Sequence, residues 1–276
     1  MTTKNPPIRF AVIGSRRGRT FIQAAQNVTS GNVLLAGICD TNPEQLEEWK
    51  DEPGVRLYSD YHQVLDDPEI DAVCLATPVF QHAQQAIAAL DAGKHVLSEV
   101  TAAYTLEEGR ELVAAVERSG RTYMMAENYC FKEPVLQVQN MVEQGVFGEI
   151  VYASGSYIHD ARELVFTPEG ELTWRGRMRR DYRANGYPTH ATGPVARWLG
   201  INRSDVFKTM ATWHSRIRAI ADYAARNHPD RPEYASPDCW MLPDTTSTSI
   251  RTEKGVLVDI RVDTNSARPQ IGRAHV

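Results

Sequence analysis

Cysteine is scarce in this sequence of 276 residues, and Cys39, Cys74, Cys130 and Cys239 are scattered without a CxxC pair. That argues against a zinc site and against a disulfide framework. Long apolar runs are missing too: nothing approaches the roughly 20 consecutive residues that a membrane-spanning helix needs. There is no surplus of positive charge. Lys and Arg number 30 against 35 Asp and Glu, a net −5 that repels nucleic acid overall. The opening MTTKNPPIRFAVIG runs from a short polar lead into a strand pattern, without the basic-then-apolar order of a signal peptide. No internal repeat and no low-complexity linker interrupts the chain. With 42% apolar and 24% charged residues, the expectation is a cytoplasmic enzyme of one large or two medium domains, binding neither metal, membrane nor nucleic acid.

What is present is a rhythm. Apolar runs at Ile8 to Ile13, Val33 to Cys39, Ala72 to Ala76, His95 to Leu97 and Thr122 to Met125 alternate with helical stretches. Helices are read at Thr20 to Val28, from Pro43, at Gln81 to Leu90, and to Ser119 behind a Thr105–Glu108 capping box. Such alternation means βαβ units, hence an α/β Rossmann domain with a doubly wound parallel sheet over residues 1–126. Beyond Ala126 the rhythm is lost. Helices are expected at Pro134 to Gln144, Gly193 to Leu199 and Ile217 to Arg226, a strand at Glu149 to Ile158, and an antiparallel hairpin from Thr246–Thr252 and Val256–Val262. Residues 160–186, with six arginines between Arg162 and Arg183, read as a solvated loop.

The turn after the first strand, Gly14-Ser15-Arg16-Arg17-Gly18, fits a dinucleotide pyrophosphate, for which glycines permit close backbone approach. The GxGxxG pattern is degenerate, because Arg16 stands in place of the second glycine, and a purely structural turn is the alternative. Asp40 ends the second run where a carboxylate binds adenosine ribose hydroxyls, which favours NAD over NADP. Arg16 and Arg17 could nevertheless accommodate a 2′-phosphate. Thr77-Pro78-Val79-Phe80-Gln81-His82 and Ser98-Glu99-Val100 lie at strand ends, where a cofactor would be bordered. The bland alternatives are a helix-surface histidine for His82 and a solvated carboxylate for Glu99. Farther on, Tyr187-Pro188-Thr189-His190 lies on an irregular segment ahead of a helix. His190 can exchange protons with a sugar hydroxyl and Tyr187 can hydrogen-bond or act as a base, unless His190 is a mere capping or exposed residue.

Taken in order, the glycine turn, Asp40, TPxxxH and SEV resemble the Gfo/Idh/MocA oxidoreductase family. The resemblance implies a Rossmann domain followed by an α+β domain with an open, mostly antiparallel sheet, and a homo-oligomer through that sheet. Members usually carry Glu-Lys-Pro where this chain has Glu99-Val100-Thr101, so the family's lysine is absent. YPTH followed by GPVA, SEV, and Tyr157-Ile158-His159-Asp160 are similar to the NAD-dependent α-N-acetylgalactosaminidase branch. That likeness implies a glycosidase working by transient oxidation at sugar carbon 3. By motif position Asp40, Val79 to His82, Glu99, Val100 and Asn128 would contact NAD, and Tyr157, Arg175 and Tyr187 to His190 the sugar. An NAD(P)-dependent sugar or polyol dehydrogenase and a non-catalytic NAD-binding remnant are the alternatives. Relatives carry Arg-Pro-Tyr where Arg268-Pro269 is followed by Gln270. Residues 271–276, Ile-Gly-Arg-Ala-His-Val, read as an in-frame sequencing-adaptor translation, or else as a short natural tail. On the first reading the substrate domain, 127–270, is incomplete, and Val256, Val258 and Ile260 border an unpaired sheet edge.

Overall fold

The computed structural model describes residues 6–27 and 31–267, and the backbone of 271–275. Two compact units meet in sequence at Ala126 and Glu127. The first runs β1 (Ile8–Ile13), α1 (Ser15–Asn27), β2 (Val33–Cys39), α2 (Pro43–Glu47), β3 (Arg56–Tyr58), α3 (Tyr61–Asp66), β4 (Ala72–Leu75), α4 (His82–Asp91), β5 (His95–Ser98), α5 (Leu106–Ser119) and β6 (Tyr123–Met125). Its six strands are all parallel, in the order β3-β2-β1-β4-β5-β6. Chain direction across the sheet reverses between β1 and β4, the switch point outside which such sheets bind ligands.

Both faces of this sheet are covered, as the near-continuous apolar runs require. Ala11 and Ile13 of β1 join Val73 and Leu75 of β4 in one core, while Phe10 and Val12 join Ile38 and Ile22 in the other. The Thr105–Glu108 capping box is formed at the start of α5, whose end is capped by left-handed Gly120. The helix α1 begins five residues earlier than its apolar pattern suggests. Gly18 therefore lies in the helix and not in a loop, and a Cβ there would stand 2.3 Å from Val12 Cγ1. It serves the close packing of helix on strand.

The second unit holds α6 (Glu133–Glu143), β7 (Tyr152–Ile158), α7 (Trp174–Asp181), α8 (Thr189–Trp198), β8 (Phe207–His214), α9 (Ala219–Asn227), β9 (Thr245–Thr252), β10 (Leu257–Asp263) and β11 (Ile271–His275). Its five-stranded sheet has the order β11-β7-β10-β9-β8 and is antiparallel except between β7 and β10. Ala153, Ile250, Val258 and Ile260 face Val195 and Trp198 of α8 in one core. The expected hairpin is β9–β10. Two readings are corrected. Part of the arginine-rich stretch is the helix α7, started by Thr173, whose side chain accepts from the Gly176 N–H. And β10 is no edge: it pairs with β7 and β9, so Val258 and Ile260 lie on an interior strand. Residues 271–275, the adaptor-like stretch, pair with β7, while Arg268 to Gln270 and Val276 lie outside the described residues.

The seat of α8 is set by a glycine. At Gly155 of β7 a Cβ would lie 2.5 Å from the Ala191 carbonyl oxygen and 3.3 Å from Val195 Cγ2, so helix and strand are in direct contact. Gly155→Ala should destabilise the second unit by about 1–3 kcal/mol, as overpacking does. Urea denaturation followed by Trp fluorescence checks this, and an unchanged midpoint contradicts the packing.

Candidate functional site

The cofactor-class residues of the first unit gather at the carboxyl ends of β1, β2, β4 and β5. Gly14 adopts φ +87, and a Cβ on it would meet the Ala76 carbonyl oxygen at 2.8 Å. Only glycine fits both conditions, and it leaves bare backbone ahead of the α1 N-terminus. Asp40 follows β2 and turns inward: its Oδ2 accepts from the Ser15 N–H and the Ser15 hydroxyl, both at 2.8 Å. Its Oδ1 accepts from the Asn42 N–H at 3.0 Å. The carboxylate is thus fixed against the helix start by three donors. Arg16 and Arg17 are exposed on the first turn of α1. Arg17 pairs with Glu99 Oε1 at 2.7 Å, linking the glycine turn to the end of β5.

The Thr77–His82 segment splits into two roles. Val79 and, after β5, Val100 are buried apolar side chains, whereas Phe80 is half-buried and Gln81 exposed. His82 is neither at the helix surface nor open to a ligand. It is 1% exposed, with Nε2 2.8 Å from the Thr77 carbonyl oxygen and Nδ1 2.9 Å from that of Thr101. It ties the loop after β4 to the loop after β5, with Pro78 between Thr77 and the turn that opens α4. This arrangement fits a dinucleotide: a glycine cradle that a Cβ would fill, a helix N-terminus, and an immobilised carboxylate at the end of β2.

In the second unit a cavity of about 130 Å3 is lined by Tyr157 of β7, Trp174, Arg175 and Arg179 of α7, and Tyr187 and His190 around the start of α8. His190 belongs to the first turn of α8, not to an irregular segment before it. Its Nδ1 lies 2.7 Å from Oε1 of Glu127, a carboxylate even more buried than the ring. Three phenols pack around the imidazole. Tyr129 stacks on it with centroids 4.0 Å apart, and Tyr157 and Tyr187 meet it edge-on at 4.9 and 5.0 Å. On Tyr129 an ammonium also sits, Lys132 Nζ lying 3.3 Å from the ring centroid. Burial pushes the Tyr157 phenol up to about 12, against the opposing pull of Arg175 and Arg179. At neutral pH it is a protonated phenol and not a base, and it shares a hydrogen bond with His159 Nδ1 at 2.8 Å. Arg175 covers the Trp174 ring at 4.2 Å. The cavity can therefore seat a polyol ring, with two imidazoles, His159 and His190, able to move protons and with phenols and guanidiniums able to orient hydroxyls.

Residues 131–276 match the family model described as glycosyl hydrolase 109, C-terminal domain. The chain belongs to the glycosyl hydrolase 109 family. Residues 8–127 match the oxidoreductase family with an NAD-binding Rossmann fold. A glycosyl hydrolase family 109 protein of Solibacter usitatus is 32% identical over 96% of this chain and 63% of its own length. One from Shewanella baltica is 33% identical over 95% and 59%. The chain thus spans about three fifths of the length of these curated relatives. Among solved structures, a probable dehydrogenase from Thermotoga maritima superposes with a TM-score of 0.74 at 18% identity, covering 96% of this chain and 72% of that one. The scyllo-inositol dehydrogenase of Lactobacillus casei, solved with NAD(H) and scyllo-inositol, gives 0.71 at 17% identity over 97% and 73%. These two share the fold.

Within this glycosyl hydrolase 109 chain, four of the residues assigned to the sugar from sequence, Tyr157, Arg175, Tyr187 and His190, line one cavity. Pro188 and Thr189 do not: Pro188 precedes α8 and its carbonyl accepts from the Ala191 and Thr192 N–H groups. Asn128 is exposed at the start of a short 3-10 turn, Asn128–Phe131. Glu127 and Tyr129, on either side of it, escaped the sequence reading. The only signal was their adjacency to Asn128, since their partner His190 lies 63 positions from Glu127. Burial pushes the Cys39 and Cys74 thiols up to about 12, so neither is a nucleophile. Because His82 clamps two loop carbonyls, His82→Ala should lower the stability of the first unit by about 1–3 kcal/mol through unpaired buried groups. Urea denaturation reads it, and no loss would show that the clamp carries no load.

Proposed function

We propose that the chain binds NAD on its amino-terminal unit (1–126) and a glycoside in the cavity of its second unit (127–270), and hydrolyses the glycoside without net redox change. One observation carries the glycosidase reading. Among the described residues lining the cavity there is no Asp or Glu, so these do not supply the usual pair of glycosidase carboxylates. What lines it instead is a pair of imidazoles, His159 and His190, with phenols and guanidiniums. Bound NAD would supply a hydride acceptor at sugar carbon 3 and return that hydride at the end of the cycle. His190 takes the hydroxyl proton as carbon 3 is oxidised. The resulting ketone acidifies the carbon 2 proton, whose loss to solvent breaks the bond from carbon 1 to the aglycone, and the aglycone oxygen takes up a proton from solvent to leave as the alcohol. Water then adds to the unsaturated sugar, and re-reduction at carbon 3 recovers the proton from His190. Atoms balance as glycoside plus water giving free sugar plus alcohol.

Tyr157, Arg175 and Tyr187 orient the sugar hydroxyls, Pro188 and Thr189 frame the start of α8, and α-N-acetylgalactosamine is the proposed glycone. On the cofactor side Gly14 to Gly18, Thr77 to His82, Glu99, Val100 and Asn128 are proposed to border NAD. Asp40 disfavours a 2′-phosphate, and Arg17 is already paired with Glu99. Met210 and Trp213, 74% and 60% exposed on β8, are the large apolar side chains that self-association through the second sheet would cover.

The test is incubation with a chromogenic α-N-acetylgalactosaminide and NAD in deuterated water. The expected result is aglycone release, deuterium at carbon 2 of the sugar, and no accumulation of NADH. Stoichiometric NADH would identify a dehydrogenase, and NAD binding without turnover a remnant. In the active enzyme His190→Ala should reduce turnover by about 10²–10⁴-fold, with NAD affinity nearly unchanged by calorimetry.

A further inference from the structure

The carboxylate behind His190 is more than a buried polar neighbour. Glu127 is 5% exposed, and its Oε1 receives two contacts, the Tyr129 N–H at 3.0 Å and His190 Nδ1 at 2.7 Å. Its second oxygen, Oε2, is buried and has no hydrogen-bond partner among the described residues. An ionised carboxylate can accept but not donate, so the imidazole atom facing it must carry a hydrogen. Helix packing holds the arrangement in place. At Gly193, one turn along α8 from His190, a Cβ would lie 2.7 Å from Glu127 Cγ and 3.0 Å from Cys130 Sγ. Glycine at 193 is what lets Glu127 reach the imidazole.

We infer that Glu127 is the positioning residue of this site: it holds neutral His190 as the Nδ1–H tautomer, so that Nε2 is the atom that accepts and returns the substrate proton. The same carboxylate draws in the Tyr129 backbone and thereby sets the Tyr129 ring on the imidazole face. When His190 gains a proton, the charge forms 2.7 Å from a carboxylate already in place and costs no reorganisation. The arrangement follows the logic of a carboxylate–imidazole pair in which the carboxylate chooses the tautomer and steadies the imidazolium without itself moving a proton. The catalytic part of this inference rests on the hydrolysis proposed above, whereas the tautomer does not.

The experiment is nitrogen-15 NMR of the 276-residue chain labelled at histidine, recorded above the titration of the rings, with His190 assigned from the signals lost in His190→Gln. Expected is protonated Nδ1 and bare Nε2, the reverse of the tautomer that free histidine prefers in water. Bare Nδ1, or a mixture of the two, overturns the assignment whether or not the chain hydrolyses anything. Glu127→Gln can turn its amide N–H toward Nδ1 while its oxygen keeps the Tyr129 N–H, and should switch His190 to the Nε2–H form. Gly193→Ala leaves the charge intact but displaces the Glu127 side chain, and should erode the same preference if Glu127→Gln fails to fold. A wild-type signature retained in the folded variants refutes the role. Where hydrolysis is measurable, Glu127→Gln should lower kcat by about 10²–10⁴-fold with KM nearly constant. An unchanged kcat beside a switched tautomer would overturn the catalytic part alone.

Discussion

Close approach at glycine is the constraint on which both units depend, backbone on backbone at Gly14 and Gly155 and backbone on side chain at Gly18 and Gly193. In the first unit Gly14 and Gly18 bring the β1–α1 turn against β4 and Val12; in the second, Gly155 and Gly193 bring α8 against β7 and the Glu127 side chain. Each contact places a functional group that would otherwise be one side-chain radius too far away. The carboxylate of Asp40 reaches the start of α1 and that of Glu127 reaches the imidazole, both at hydrogen-bond distance. Chemistry in this chain is therefore a by-product of packing as tight as an organic crystal's.

The carboxylates of Asp40 and Glu127 solve opposite problems. Asp40 accepts from three donors, two on Oδ2 and one on Oδ1. Glu127 leaves one oxygen without a partner and concentrates its contacts on the other. A group held through both oxygens is a fixed part of the frame, while one with a whole oxygen unpartnered can take up charge appearing next to it. Arg17 and Glu99 form a third arrangement: an exposed guanidinium neutralised by a nearly buried carboxylate, which lessens the positive field at the glycine turn.

Much of this was legible in the order of residues, because the signals were local. The runs at Ile8 and Val33, the Thr105–Glu108 box and the β9–β10 pattern each declare themselves within one short, continuous stretch of sequence. Local signals also misled. Two glycines suggested that residues 14–18 were all turn, yet Ser15 to Gly18 are helical, since Gly18 is there for the sake of Val12. Phe207–His214 went unread as a strand because its side chains are mostly exposed and carry no alternation; it is held by pairing with β9. The arginines of α7 disguised a helix whose inward face is Gly176, Met178 and Arg179. Among the site residues, those on motifs were visible and Glu127 was not. Its meaning comes from a contact across 63 positions that no spacing rule encodes.

The glycine contact beneath α8 also determines where this site is able to diversify. With Gly155 pressed on the Ala191 carbonyl, the wall carrying His190 has no room to tilt or slide, and larger residues at 155 or 193 would meet backbone or Glu127. The opposite wall is different: Trp174 and Arg175 stand on α7, an eight-residue helix reached through the loops on either side of it, and they stack on one another. Substitutions or length changes there alter the shape and charge of the cavity without moving the imidazole. Among descendants of such a scaffold, new substrate preferences would accumulate on the α7 wall, while the α8 wall kept the same reaction.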